Sequence, residues 1–408
     1  MPQDALAREA LAAIDRAQDD LFALSLAIHR EPELGYRKEK ASALLADTLR
    51  AAGFAVTKPF CDLPTAFRGD VGSGSPTLAI LCEYDGLPDI GHACGHNLIA
   101  MTGAAAAIGV RAIIDRIPGR IAVVGTPAEE GGGGKVALIG KGGFDDVDAA
   151  MMVHPSSRTL AYRSSLASTR VDIEFRGRAA HAAAQPDQGL NALDGVILTF
   201  VGLHALRQQL RPDARVAGIV TNGGSAPNII PEFASAAFSV RAMQREYQRE
   251  VLEKFIRVAE GAAAATGTTL TVKIRPHSGY QNMIPNHTMA DRFAEHLSAL
   301  GIEVAKEAPD ERMGSTDMGN VSQVLPAIHP YIKIAPEGTP GHSTAFREAA
   351  ATPEAHANAL AAAKALALLA LDLLRDPALL AKARREFDEA RSRGVVKDAA
   401  HTISSTQP

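Results

Sequence analysis

The chain has 408 residues, 46% of them hydrophobic and 22% charged, with a formal net charge of -4, enough for two or three ordinary domains and typical of a soluble globular protein. An aromatic content of 5%, no tryptophan and no basic excess exclude the base-stacking, cationic surface of a nucleic-acid binder, so a small molecule is the expected partner. Cys61, Cys82 and Cys94 are odd in number and lack the spacing of a disulfide scaffold, which predicts a reducing, cytoplasmic setting.

The opening stretch MPQDALAREALAAIDRAQDDLFALSLAIHR carries the apolar period of one amphipathic helix and not the charged-then-apolar order of a signal peptide. No uninterrupted apolar run reaches membrane-spanning length, and no membrane partner is expected. The runs TLAILCEY (77–84), IAVVGTP (121–127) and DAAMMVHP (148–155) read as buried strands, separated by helical stretches such as NLIAMTGAAAAIGVRAIID, with Asn97 as its N-cap. Alternating strands and helices predict an α/β layer.

From about Ser165 the pattern changes. STRVDIEFRGR, a helical GLNALDGVILTFVGLHALRQQL, then ARVAGIVTNG, IPEFASAAFSVRA, a helix near 245–263 and TLTVKIRP form a β-α-β-β-α-β unit of domain size, read as an insertion. The α/β pattern returns after Pro276. It ends in an Ala/Leu-rich helical region opened by Thr352-Pro353 in N-cap and N1 style and broken near Asp376-Pro377, followed by a frayed tail, HTISSTQP. Expected domains are 1–164 with 281–408, and 165–280.

Reactive residues follow the C-terminal ends of the first strands: Glu83 and Asp85, then Glu129 and Glu130, then His154. Ligands of open α/β sheets bind outside those ends, so these residues are expected to converge. In GHACGHN (91–97), extended backbone would set His92, Cys94 and His96 on one side, ahead of a helix N-terminus that favours a thiolate. Thiolate and imidazole suit a transition metal, but Cys94 beside His96 also reads as a nucleophile pair, or as a buried turn. Glu129 and Glu130 offer one ligand and one base, and His154 with His342 in GTPGHSTAF would complete a shell. Gly131–Gly134 lacks the Gly-Lys-Ser/Thr ending of a phosphate loop. His329-Pro330 echoes His154-Pro155 but reads as structural.

Taken in order, IHREPELGYRKEKAS, CEYDGLPDIGHACGHNLIA, GTPAEEGGGGK, the His-Pro at 154, GRAAHAAAQPDQGLNALD, PNIIPE, GSTDMGNVSQVLPAIHP and GTPGHSTAF resemble the M20 metallopeptidases, subfamily D amidohydrolases, along nearly the whole chain. The segments at 82–85 and 315–322 are more similar to the branch of p-aminobenzoyl-glutamate hydrolases and β-alanyl-lysine dipeptidases than to that of hippurate and indole-acetyl conjugates. The resemblance implies an α/β catalytic domain with a dinuclear metal site, interrupted by an α+β lid that commonly dimerises.

It also implies roles. Cys94 would bridge two divalent ions, zinc or manganese first and cobalt or nickel also admissible, and His96, Glu130, His154 and His342 would complete the ligands. Glu129 would be the general base, and Asp85 would orient a ligand. In the lid, His181 would reach a partner subunit's active site, while Asn228 and Arg241 would meet the substrate. The expected activity is hydrolysis of the amide of an N-acyl amino acid or dipeptide, as an aminoacylase or dipeptidase, by a homodimer. The rival readings are a Cys94/His96 thiol hydrolase and a non-catalytic, metal-stabilised binding protein.

Overall fold

The computed structural model describes residues 4–37, 39–308 and 313–395, so the tail expected to fray, 401–408, lies outside the described residues. The chain divides into two compact units, one of Met1–Ser164, Ile284–Arg312 and Asn320–Pro408, the other of Ser165–Met283 and Met313–Gly319. The second unit therefore runs past the expected boundary at 280 and takes in a later segment.

The first unit opens with α1 (Ala5–Arg16) and α2 (Gln18–Arg30), where the periodicity predicts one helix. Ala17, at φ -90° and ψ 0°, leaves the helical region. Each half has its own start: Asp4 accepts from the Leu6 amide, and Asp19 and Asp20 sit in the first turn of α2, where the helix dipole favours negative charge. There follow α3 (Glu39–Ala51), β1 (Ala55–Thr57), β2 (Phe67–Ser73), β3 (Thr77–Glu83), α4 (His96–Arg111), β4 (Gly119–Thr126), α5 (Gly134–Gly140), β5 (Ala149–Met151) and β6 (His154–Ser156).

The second unit holds β7 (Ala167–Arg176), β8 (Ala180–His181), α6 (Ala192–Leu206), β9 (Arg215–Asn222), β10 (Ile229–Ile230), β11 (Phe233–Ala242), α7 (Arg245–Thr266) and β12 (Thr269–Ile274). Its antiparallel sheet runs β12-β7-β11-β9, and β8 with β10 makes a separate two-stranded ribbon. Along β11 every second residue, from Ala234 through Phe238 to Ala242, is buried, the period of a strand with one covered face. That face shares a core with Val196 and Leu203 of α6 and Val251 and Phe255 of α7.

The first unit resumes with α8 (His287–Ala299), α9 (Met318–Ser322, shared across the boundary), β13 (Ala327–Ile328), β14 (Tyr331–Lys333), α10 (Thr344–Ala349), α11 (Pro353–Arg375) and α12 (Pro377–Val395). Its main sheet has the order β1-β2-β4-β3-β5-β13, with β3 parallel to both β4 and β5 and β13 parallel to β5. All seven residues of β3 are buried, as an apolar strand covered on both faces should be. Two helical segments, His96–Arg116 and Pro353–Arg375, are long and apolar enough to cross a membrane, although polar residues such as Thr102 and Lys364 interrupt both, and their apolar windows are 83% and 72% buried within the protein. They are core helices. Thr352 caps α11 by accepting from the Ala355 amide, and the chain breaks at Asp376 as the proline predicts.

Candidate metal centre

Parallel β3, β4 and β5 bring their C-terminal ends to one edge of the sheet, which sets Asp85, Glu129 and Glu130 in neighbouring loops and His154 at the start of β6, just after β5. The Cys94 segment reaches them as a turn, with the Gly95 amide donating to the His92 carbonyl at 3.0 Å, and not as the extended stretch expected from its alternating residues. Gly95 has φ 78°, and a Cβ there would lie 2.8 Å from the Pro155 ring. Only glycine lets this turn pass so close to β6. His92 is consequently directed elsewhere, buried with its ring 6.1 Å from that of His29. Asn97 lies inside the first turn of α4, and its side chain donates to Ser25 Oγ and the Ala350 carbonyl, so the cap position belongs to Gly95.

The loop after β4 is wound tightly, with the Ala128 carbonyl accepting from the amides of Gly132 at 2.9 Å and Gly133 at 2.8 Å. A Cβ on Gly134 would fall 1.8 Å from the Pro127 carbonyl oxygen, which explains a glycine where α5 starts. His342 is held to the Cys94 turn by its amide, which donates to the Ala93 carbonyl at 2.9 Å.

The side chains then form three sets whose ligand atoms lie within 4.8 Å of one another: Cys94, His96 and His154; Cys94, Glu130 and His342; and Glu83, His96 and Glu129. Cys94 belongs to two of them. Its Sγ is 3.4 Å from His154 Nε2, while His342 Nε2 is 3.3 Å and His96 Nε2 3.8 Å from Glu130 Oε1. Asp85 organises both halves: Oδ1 lies 3.1 Å from His96 Nδ1, and Oδ2 accepts the Glu130 amide at 2.9 Å. His154 Nδ1 faces the Pro155 carbonyl at 2.6 Å, which turns Nε2 toward Cys94. A bond on the far ring nitrogen is the usual way a ligating imidazole is fixed.

The residues fit a cation. Glu83 Oε2, His96 Nε2 and Glu130 Oε1 are buried and make no hydrogen bond, yet they face one another, and buried polar atoms without partners are rare. Burial works against ionisation of Glu130, but the neighbouring His342 and His96 hold its carboxyl at about 2. Burial and the charge of His96 push His154 down to about 4, so it is a neutral imidazole ready to donate a lone pair. Burial and the Glu130 charge push the Cys94 thiol far up. A thiolate among carboxylates therefore needs a cation beside it.

Of the residues expected in the lid, His181 is exposed and its Nδ1 accepts the amides of Ala183 and Ala184. The ribbon sets it against Ile229, and the Ala182 amide donates to the Asn228 carbonyl. Arg241 stands on β11 in the other sheet of that unit, half-buried, with Nε donating to Ser239 Oγ. His329 is buried, with Nδ1 3.0 Å from the Tyr331 hydroxyl and its ring 5.3 Å from that of His154. Sequence reasoning missed Lys135, fully buried with Nζ 2.5 Å from Glu83 Oε1; the available signal was its place directly after the glycine run.

Peptidase family M20/M25/M40 matches residues 82–370. A protein of Mus musculus named Xaa-Arg dipeptidase is 42% identical over 399 residues, 94% of this chain and 92% of its own. One of the subunits of the p-aminobenzoyl-glutamate hydrolase of Escherichia coli K12 is 30% identical over 433 residues, 88% of this chain and 90% of its own. Among solved structures, a Bacillus subtilis protein described as a dinuclear metal binding peptidase from the M20 family shares the fold, with a TM-score of 0.62 at 19% identity, covering 85% of this chain and 98% of that one. The matched span contains the whole cluster from Glu83 to His342, and the chain belongs to peptidase family M20/M25/M40, a hydrolase family.

Proposed function

We propose that this chain cleaves the amide bond of a dipeptide or N-acyl amino acid with two divalent ions at the Cys94 cluster, and that its substrate carries a basic C-terminal residue. The observation that carries the reading is the convergence of Cys94, His96, Glu130, His154 and His342, with Cys94 common to two ligand sets. The basic preference is supported by 42% identity to the Xaa-Arg dipeptidase against 30% to the aminobenzoyl-glutamate hydrolase. The donor set of one thiolate, imidazoles and a carboxylate suits zinc, and admits manganese, cobalt or nickel.

When bound, such ions supply Lewis acidity toward the scissile carbonyl and the attacking water. Glu129, buried in the loop after β4, takes the proton from that water as its oxygen bonds to the carbonyl carbon, and returns it to the nitrogen as the C–N bond breaks. Asp85 holds His96 and the Glu130 backbone in place. His181 steadies the carbonyl oxygen in a partner subunit's site, and Asn228 and Arg241 meet the polar end of the substrate. The homodimer this requires is supported by the edge strand β9, where Ile219 and Val220 are exposed, and by exposed Ile197 and Val201 on α6 of the same unit; an uncovered apolar edge invites a second copy. The three unpaired cysteines support a cytoplasmic setting.

A thiol hydrolase built on Cys94 and His96 is the weaker reading, because burial first, and then the charges of Glu130 and Glu129, oppose the thiolate that it requires. The test is a panel of N-acyl amino acids and dipeptides with Arg, Lys or Glu at the C-terminus, assayed by amine release after chelation and after addition of zinc, manganese, cobalt or nickel. Chelation should abolish turnover, a divalent ion should restore it, and the Arg and Lys dipeptides should be the best substrates. Turnover that survives chelation but is lost quickly to a thiol alkylator would establish the thiol hydrolase instead.

A further inference from the structure

The end of β3 delivers Glu83 as well as Asp85, and the reading above gives Glu83 no task. Glu83 is fully buried, and so is Lys135, whose Nζ lies 2.5 Å from Glu83 Oε1. The second oxygen, Oε2, makes no hydrogen bond and stands 3.3 Å from His96 Nε2, a nitrogen that makes none either. A buried ion pair is weak support for a fold, since apolar residues of the same volume usually serve as well or better. A purely structural pair would also leave Oε2 without a reason to face the cluster. Lys135 cancels the charge of Glu83, so this carboxylate can lend an oxygen to the site without altering its net charge. Glu83, His96 and Glu129 already have their ligand atoms within 4.8 Å of one another.

We infer that Glu83 is a further metal ligand: Lys135 fixes Oε1, and Oε2 is turned to the ion held by Cys94, His96 and His154. The inference rests on the two-ion reading. Lys135 is then a positioning residue, acting on the ion only through Glu83. Because it neutralises one ligand, it sets how strongly that half of the site attracts a cation compared with the half made by Cys94, Glu130 and His342.

The test is a crystal structure of the wild-type protein loaded with zinc, with the ions located by anomalous scattering, beside zinc affinities of a neutral double variant. Two zinc ions, one of them about 2.0–2.2 Å from Glu83 Oε2, would support the inference. Two ions with Glu83 out of bonding reach would overturn it and leave the two-ion reading standing. No ion beside Cys94 would remove both. In Glu83→Gln/Lys135→Met both buried charges are gone while the volumes are kept, and circular dichroism reports whether the fold is retained. Competition with a chromogenic chelator should then show one of the two zinc ions bound at least about tenfold more weakly and the other unchanged. A folded double variant that holds both ions at wild-type affinity would confine the pair to a structural role. Should that variant not fold, the zinc–oxygen distance in the wild-type crystal decides the matter alone.

Discussion

In the first unit β3 is buried along its whole length, and the carboxylates at its end, Glu83 and Asp85, are buried with it. In the second unit, β7 also carries carboxylates, Asp172 and Glu174, but these pair with Arg275 and Lys273 where water reaches all four side chains. The same residue types thus sit at the two extremes of cost. A charge removed from water must be met by a partner, a backbone amide or a cation, and taking that partner away alone is costly. A charge left in water is screened, and its partner is worth little. Buried carboxylates that the sheet gathers at one edge are where chemistry should be sought. The ladder of exposed pairs on the other sheet keeps that face wet.

The comparison breaks most visibly at Glu129 and Glu130, adjacent in sequence but unlike in surroundings. Glu130 faces both His96 and His342, so Glu130→Gln should lower bound metal along with turnover. Glu129→Gln keeps the shape and removes the proton acceptor; both ions should stay while turnover falls about a hundredfold to ten-thousandfold. Elemental analysis beside the rate of each purified variant checks the pair. A Glu129→Gln protein with near-normal turnover, or without its metal, would remove Glu129 from the role of base.

Stability should show the same contrast. Lys135→Met leaves Glu83 buried without its cation, and breaking such a pair from one side costs about 3–5 kcal/mol, to be read from urea unfolding of the metal-free protein. Added zinc should recover part of the loss, since a cation near Glu83 replaces the missing charge. A loss below about 1 kcal/mol would mean that water enters the site and screens Glu83.

Between the extremes lies Asp372 on α11, half-buried, which accepts from Arg292 Nε at 2.6 Å and faces His296 Nε2 at 2.7 Å. Burial raises its pKa, but the hydrogen bonds to His296 and Arg292 outweigh this and hold the carboxyl below its ordinary value. A folded-state pKa below the unfolded one makes the group stabilising above the unfolded value, about 3.9, and that contribution is lost as pH falls through the folded value. Asp372→Asn should therefore cost about 1–3 kcal/mol near neutral pH. The gap to wild type should close below about pH 4, as followed by thermal melts across pH. A gap that stays constant with pH would show that the asparagine loses packing and not charge.

Much of this was legible in the residues. Apolar runs followed by acids and imidazoles mark strand ends, and parallel strands must bring those ends to one edge; this is why Glu83, Asp85, Glu129, Glu130 and His154 could be grouped without coordinates. Less legible was anything set by a turn. Alternation at His92, Cys94 and His96 suggests a shared side, but the Gly95 turn beside Pro155 sends His92 to His29. Lys135 was hidden because lysine is almost never fully buried unless paired, and its partner is 52 residues away. The return of Met313–Gly319 to the second unit was hidden as well, since no composition change marks it.

The smallest expected effect belongs to Asp172 and Arg275, and it tests the other side of the comparison. Arg275 Nε and Nη2 both reach Asp172, at 2.7 and 2.8 Å, so the geometry is bidentate and better than that of most surface pairs. The side chains are still 48% and 30% exposed, water competes for every bond, and holding two side chains in one arrangement costs rotamer entropy. Asp172→Asn should therefore lower stability by about 0.2–1 kcal/mol, and the difference should shrink further in salt of about 1 M, where the screening length is roughly 3 Å. Matched urea curves at low and high salt measure it. A loss comparable to that of Lys135→Met, insensitive to salt, would show that bidentate geometry and not burial sets what a charge is worth in this chain, and the contrast between the two sheets would fall.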